Sequence, residues 1–102
     1  MKPNSINNNQ ALLGKVYYRP KKMTALDSLQ LEQNAERIIE FAKDKAHDFT
    51  IFKNTHNTMS VKASLKNSSL TQDVYGYSVD KREKNIDNIF ETMKNLINNF
   101  KG

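Results

Sequence analysis

The chain has 102 residues, a formal net charge of +5 and no cysteine, with a mean hydropathy of −0.75. That length limits it to one domain around one modest core. The missing thiols exclude a disulfide framework, a cysteine-based zinc site and a thiol nucleophile. Five Phe and four Tyr, set in strongly periodic segments, separate the sequence from a disordered polyelectrolyte.

Residues 1–12 are polar and Asn-rich and lack periodicity, so they read as a disordered tail ahead of a single domain spanning 13–102. Lys2 has no apolar run behind it, so no signal peptide is expected. No apolar stretch approaches the roughly 20 residues of a membrane span. A cytoplasmic location is the expectation, and Asn67-Ser68-Ser69, although it matches a glycosylation sequon, reads as a turn.

In "ALLGKVYYRPKK", Val16 and Tyr18 alternate with Lys15, Tyr17 and Arg19, which predicts a short strand. Pro20 ends it or places it at a sheet edge. Thr24 to Ala46 predicts one helix, with Leu31, Ala35, Ile38, Ile39, Ala42 and Ala46 stepping by three and four along an apolar stripe. Thr24 and Asp27 have the spacing of a capping box. "DFTIFKNT" predicts a strand with Phe49 and Ile51 on one side and Phe52 on the other, and Asn54 to Thr58 a turn. "MSVKASLK" alternates Met59, Val61, Ala63 and Leu65 with Ser60, Lys62, Ser64 and Lys66. Leu70 to Val79 is a third strand of open phase: either Val74 faces the core, or Tyr75, Tyr77 and Val79 do. Gly76 hints at a bulge or a close backbone approach. The last helix opens on Asp80 and Glu83 and carries an Ile86, Ile89, Phe90, Met93, Leu96, Ile97, Phe100 stripe before Gly102.

The order (β)-α-β-β-β-α, with two amphipathic helices and half-polar strands, predicts an α+β two-layer sandwich: an antiparallel sheet with both helices on one face. Charge is distributed unevenly along it. Residues 1–22 carry Lys2, Lys15, Arg19, Lys21 and Lys22 and no acid, residues 23–48 six acids and three bases, and residues 49–72 Lys53, Lys62 and Lys66 and no acid. The positive excess therefore falls on the N-terminal segment and the strands, as expected of a polyanion-binding surface. The open sheet face would show the Ser60/Lys62/Ser64/Lys66 set beside Thr50, Phe52, Asn54, Lys15, Tyr17 and Arg19, with Tyr75 and Tyr77 in one phase. Lysines can meet phosphates there, and exposed rings can stack on unpaired bases. Solvent-facing strands also carry Ser, Thr and Lys simply for solubility and edge protection.

Nothing in the sequence assembles a nucleophile, a base and an orienting group, so no enzyme, cofactor or metal site is expected. His47 reads as a favourable charge at a helix C-terminus and His56 as a turn residue. The three glycines form no phosphate loop.

The element order resembles three RNA-associated folds. "NIDNIFETMKNLI" (Asn85 to Ile97) is similar to the last helix of the hibernation-promoting factor family of ribosome-binding proteins, whose strand, long helix, three strands and helix map onto residues 14–100. "MSVKASL" and "KNIDNIFETMKNLI" resemble the second strand and last helix of the small Alu-domain subunits of the signal recognition particle. "DKREK" (Asp80 to Lys84) resembles the basic start of the second helix in the double-stranded RNA-binding domain. All three resemblances imply RNA or ribosome binding.

The resulting expectation is a small non-enzymatic RNA- or ribosome-binding domain. Lys15, Arg19, Lys21, Lys22, Lys53, Lys62 and Lys66 would contact phosphates, and Tyr17, Phe52 or the Tyr75/Tyr77 pair would stack on bases. The alternative is a protein-interaction module (an adaptor, chaperone or inhibitor of a larger protein), which a homodimer would also satisfy. An anionic membrane surface is a third partner for the same charges.

Overall fold

The strand periodicities of the sequence are realised as one four-stranded sheet. In the computed structural model, which describes residues 14–75 and 87–101, the order is β1 (Val16–Tyr18), α1 (Ala25–Gln33), α2 (Ala35–Ala42), β2 (Asp48–Lys53), β3 (Met59–Leu65), β4 (Ser68–Asp73) and α3 (Asp87–Lys101). The strands lie side by side in sequence order. The tail at 1–12, Gly76, Tyr77, Val79, the Asp80/Glu83 helix start, Ile86 and Gly102 lie outside the described residues.

The α+β class holds, with two differences from the expected architecture. First, the sheet is mixed. β2, β3 and β4 are antiparallel neighbours, but β1 pairs with β2 in parallel, Val16 opposite Phe49 and Tyr18 opposite Ile51. A parallel pair needs a crossover of a dozen or more residues, and residues 19–47, which contain α1 and α2, supply it. Secondly, the expected Thr24–Ala46 helix is two helices that meet at Asn34. That residue leaves helical geometry (φ −109°, ψ 12°). Its side chain competes for the ladder, Nδ2 donating to the Gln30 carbonyl (2.8 Å) that also accepts the Asn34 backbone N–H (3.2 Å), and Oδ1 accepting from the Arg37 guanidinium (2.9 Å). Such side-chain to backbone competition is why Asn weakens helix interiors.

The break changes which residues reach the core. Leu31, Ile38 and Ala42 are buried as the stripe predicts, whereas Ile39 is 53% exposed and Ala46 is exposed as well. The α1 start follows the sequence pattern: Thr24 Oγ1 accepts from the Asp27 backbone N–H (3.1 Å) and Asp27 Oδ2 accepts from the Thr24 N–H (2.9 Å), the reciprocal capping box.

One face of the sheet carries Val16, Phe49, Ile51, Met59, Val61 and Ala63. It forms a single cluster with Leu31, Ile38 and Ala42 from α1 and α2 and with Ile89, Met93 and Leu96 from α3. All three helices therefore cover the same face, α3 over β3 and β4 and α2 beside β1. Each fully buried Ile, Phe or Met removes enough apolar surface to contribute about 1.5–3 kcal/mol. The phase of the last strand is settled by Val74, which is 1% exposed and donates its N–H to the Met59 carbonyl (2.8 Å), while Tyr75 is 87% exposed.

Gly14 fixes the approach of β1 to the C-terminal end of α2. A Cβ there would lie 2.2 Å from the His47 carbonyl oxygen and 2.6 Å from that of Ala42. His47 is not a solvated end charge. Its ring is buried against Phe100 of α3, with centroids 4.7 Å apart.

Candidate functional site

The face of the sheet turned away from the helices is a grid set by strand register. Tyr17, Thr50, Lys62 and Thr71 form its central row. Asp48, Ser64 and Ser69 continue one row on one side, and Phe52, Ser60 and Asp73 one row on the other. The β1–β2 ladder runs one residue past each end of β1, through Phe49 N–H to the Lys15 carbonyl (2.8 Å) and Arg19 N–H to the Ile51 carbonyl (3.0 Å). Alternation then adds Lys15 beside Asp48 and Arg19 beside Phe52. The Arg19 guanidinium lies over the Phe52 ring, 5.9 Å from its centroid.

The structure therefore brings Lys15, Tyr17, Arg19, Phe52 and Lys62 onto one face. Lys21 and Lys22 follow Arg19 in a tight turn closed by Met23 N–H to the Pro20 carbonyl (2.9 Å), with Lys22 at φ 70°. Arg19, Lys21, Lys22, Phe52 and Lys53 line a pocket of about 210 Å³ at this corner. Lys66 lies at the opposite end of the sheet, in the β3–β4 turn at φ 56°. Tyr75 follows β4 and is exposed. Tyr77 is outside the described residues.

Lys53 does not lie on that face. It continues the Phe49, Ile51 alternation onto the core side, where its ammonium is buried and ion-paired with the equally buried Asp27 carboxylate at the N-terminus of α1. The pair ties the end of β2 to α1, and Asp27 cancels the charge that Lys53 would offer an outside anion. The alternation itself signalled this, since Lys53 is two residues beyond Ile51.

The face is not free of acids. Asp48 and Asp73, just outside the 49–72 window, reach it by register. Asp48 Oδ1 accepts the Lys15 backbone N–H (3.0 Å), while Asp73 Oδ1 accepts from Ser60 Oγ (2.7 Å) and Asn54 Nδ2 (3.1 Å). These bonds bury Ser60 and hold both carboxylates at the rim rows.

Pairing separates the two layers. On the helical side Arg37 pairs with Asp87, Lys43 with Glu40, Lys45 with Asp44 and Lys94 with Glu91, and Lys53 is held by Asp27. Lys15, Arg19, Lys21, Lys22, Lys62 and Lys66 have no ion-pair partner among the described residues. Among the described residues, six unpaired cations against Asp48 and Asp73 leave a surplus of four positive charges on the sheet side.

Two other concavities differ in character. A cleft of about 700 Å³ between α2 and α3 is lined by Phe41 and Phe90 and by the paired Arg37, Asp87, Glu91 and Lys94. An apolar groove of about 360 Å³ runs between the end of β1 and α1, past Tyr18, Met23 and Leu31. Partial burial of Tyr18 there pushes its phenol above the ordinary value. Among the described residues no group of three or more His, Asp or Glu side chains is placed to hold a metal ion. No helix among them is long and apolar enough to cross a membrane. Comparison with protein-family models, with curated proteins and with solved structures finds no match.

Proposed function

We propose that this is a small non-enzymatic RNA- or ribosome-binding domain that uses its open sheet face and the basic β1–α1 turn. The observation that carries the reading is the segregation of unpaired cations. Every described lysine or arginine side chain on the helical side is matched to a carboxylate, whereas the six on the sheet side are left for an external anion. A polyphosphate backbone meets spaced, solvated ammonium groups and gains from counterion release. Tyr17 and Phe52 place aromatic surface among those cations, which suits bases better than an acidic protein surface.

The corrected contact set is Lys15, Arg19, Lys21, Lys22 and Lys62 for phosphates, with Lys66 at the margin and Lys53 removed. Tyr17 and Phe52 are the stacking rings. An anisotropy titration of the full chain against labelled RNA, at low salt and then at several-fold higher salt, tests it. Tight low-salt binding that weakens sharply is expected. Absence of binding at low salt rejects the reading.

A protein-interaction module is the second reading. It is favoured by the apolar groove past Tyr18, Met23 and Leu31 and by the exposed Leu29 and Ile39. The apolar stripe of α3 no longer supports it, because Ile89, Met93 and Leu96 are buried in the domain's own core. A partner retained from nuclease-treated lysate, with Lys21→Glu and Lys62→Glu both harmless to capture, would favour this second reading.

A further inference from the structure

Resting on the RNA reading, we infer that the bound form is a single strand, seated with one phosphate in the corner pocket formed by Arg19, Lys21 and Lys22 and with neighbouring bases on Phe52 and Tyr17. Three features converge on it. The pocket is concave and lined by three cations without an ion-pair partner among the described residues, and the Asp27 carboxylate is committed to Lys53. Phe52 forms a wall of the same pocket, so an anion held there brings its attached base to the ring and to the guanidinium that covers it. Both ring faces and guanidinium planes stack on bases. Tyr17 lies diagonally across the β1–β2 ladder from Phe52 on the same face, roughly 7 Å away at Cβ.

From this corner the β1 edge continues to Lys15, four residues and about 13 Å from Arg19 at the strand rise of about 3.3 Å per residue. Cations therefore flank the two rings: Lys15 at one end of β1, the pocket at the other, and Lys62 two strands away in the row of Tyr17. A short run of backbone following β1 would meet charge at its phosphates and rings at its bases. A duplex offers the same phosphates but hides its base faces, so Tyr17 and Phe52 would add nothing to its binding. The turn conformation of Lys22, φ 70°, is one that glycine or asparagine adopts at less cost. A lysine there keeps a charge at the pocket mouth at the expense of backbone strain.

The test is an anisotropy titration of the full chain at low salt against a labelled, unstructured RNA of roughly 12 nucleotides, within the range of aromatic single-strand platforms, and against its duplex. The single strand is expected to bind at least about tenfold tighter. Phe52→Leu should weaken single-strand binding about 5- to 150-fold, the range of one lost base stack, and leave duplex binding unaltered, while Phe52→Tyr retains affinity. Lys21→Ala with Lys22→Gly, which preserves the turn, should cost more than Lys62→Ala with Lys66→Ala, and Lys94→Ala on α3 should cost nothing. Thermal melting of each variant separates lost binding from lost folding, and Phe52→Tyr retains the ring if Phe52→Leu fails to fold. Equal binding of single strand and duplex, or a harmless loss of the Phe52 ring in a folded variant, overturns this inference and leaves the broader RNA reading standing. No binding of either RNA overturns both.

Discussion

At the scale of single residues, the largest correction concerns Lys53. Counted as a basic residue in an acid-free window, it looked available to a phosphate. Its phase with Phe49 and Ile51 decides otherwise, and it is buried against Asp27. Removing one partner strands the other charge in the interior, so Lys53→Met should destabilise by about 3–5 kcal/mol. Urea unfolding would measure it, and a loss below about 1 kcal/mol would mean that the pair is solvated. His47 makes a second residue-scale prediction. Burial holds its imidazole below the ordinary value of 6.5, and neither ring nitrogen has a hydrogen-bond partner among the described residues. The unfolded chain then binds the proton more readily than the folded one, so stability increases with pH between the two values. The penalty is absent above about pH 6.5 and grows as the pH falls through the depressed folded value. Unfolding midpoints should drop on going from about pH 7.5 to pH 5.5, and His47→Met should remove that part of the drop. An identical drop in the variant would assign it to other groups.

At the scale of elements, periodicity identified β1 to β3 and two of the boundaries that matter, the Thr24 cap and the Asn54–Thr58 turn. In that turn Asn54 Oδ1 accepts from the His56 (2.8 Å) and Thr58 (3.0 Å) N–H groups. Periodicity misplaced the last strand: β4 is Ser68–Asp73, and Ser68 and Ser69, expected in a turn, pair with Leu65 and Ser64. The same method missed the break at Asn34, because a residue that bonds its own helix leaves the apolar stripe nearly intact on both sides. Ile39 shows the consequence: it fits an unbroken stripe yet is exposed once α2 is set separately. Parallel pairing of β1 was legible in principle, since a strand, a long helical crossover and a strand favour it, but the hairpins further along drew the reading towards an antiparallel sheet. The β3–β4 hairpin carries its own prediction. Lys66 is held at φ 56°, where a Cβ is disfavoured. Lys66→Gly should stabilise by about 1 kcal/mol, visible as a higher urea midpoint with an unchanged slope. Destabilisation would show that the Lys66 side chain makes a compensating contact.

At the scale of the whole molecule, the sequence carried the asymmetry of charge but not its pairing. Composition windows gave the N-terminal and strand segments a basic surplus, and the structure divides the cations more sharply, by which of them have carboxylate partners. Windows also concealed Asp48 and Asp73, because register rather than sequence distance places them on the open face. The result is a surface whose positive side follows β1 and its turn rather than spreading over the whole sheet. The salt dependence of RNA binding tests that account most directly. With Lys15, Arg19, Lys21, Lys22 and Lys62 as phosphate contacts, and about 0.7 of a log unit per neutralised phosphate on a single strand, a plot of log affinity against log salt should have a slope between about −2 and −3.5. Lys21→Ala with Lys22→Gly should make it shallower by about 1.4. A flat plot, or no binding at low salt, would contradict the proposal that these cations are kept unpaired for a nucleic acid.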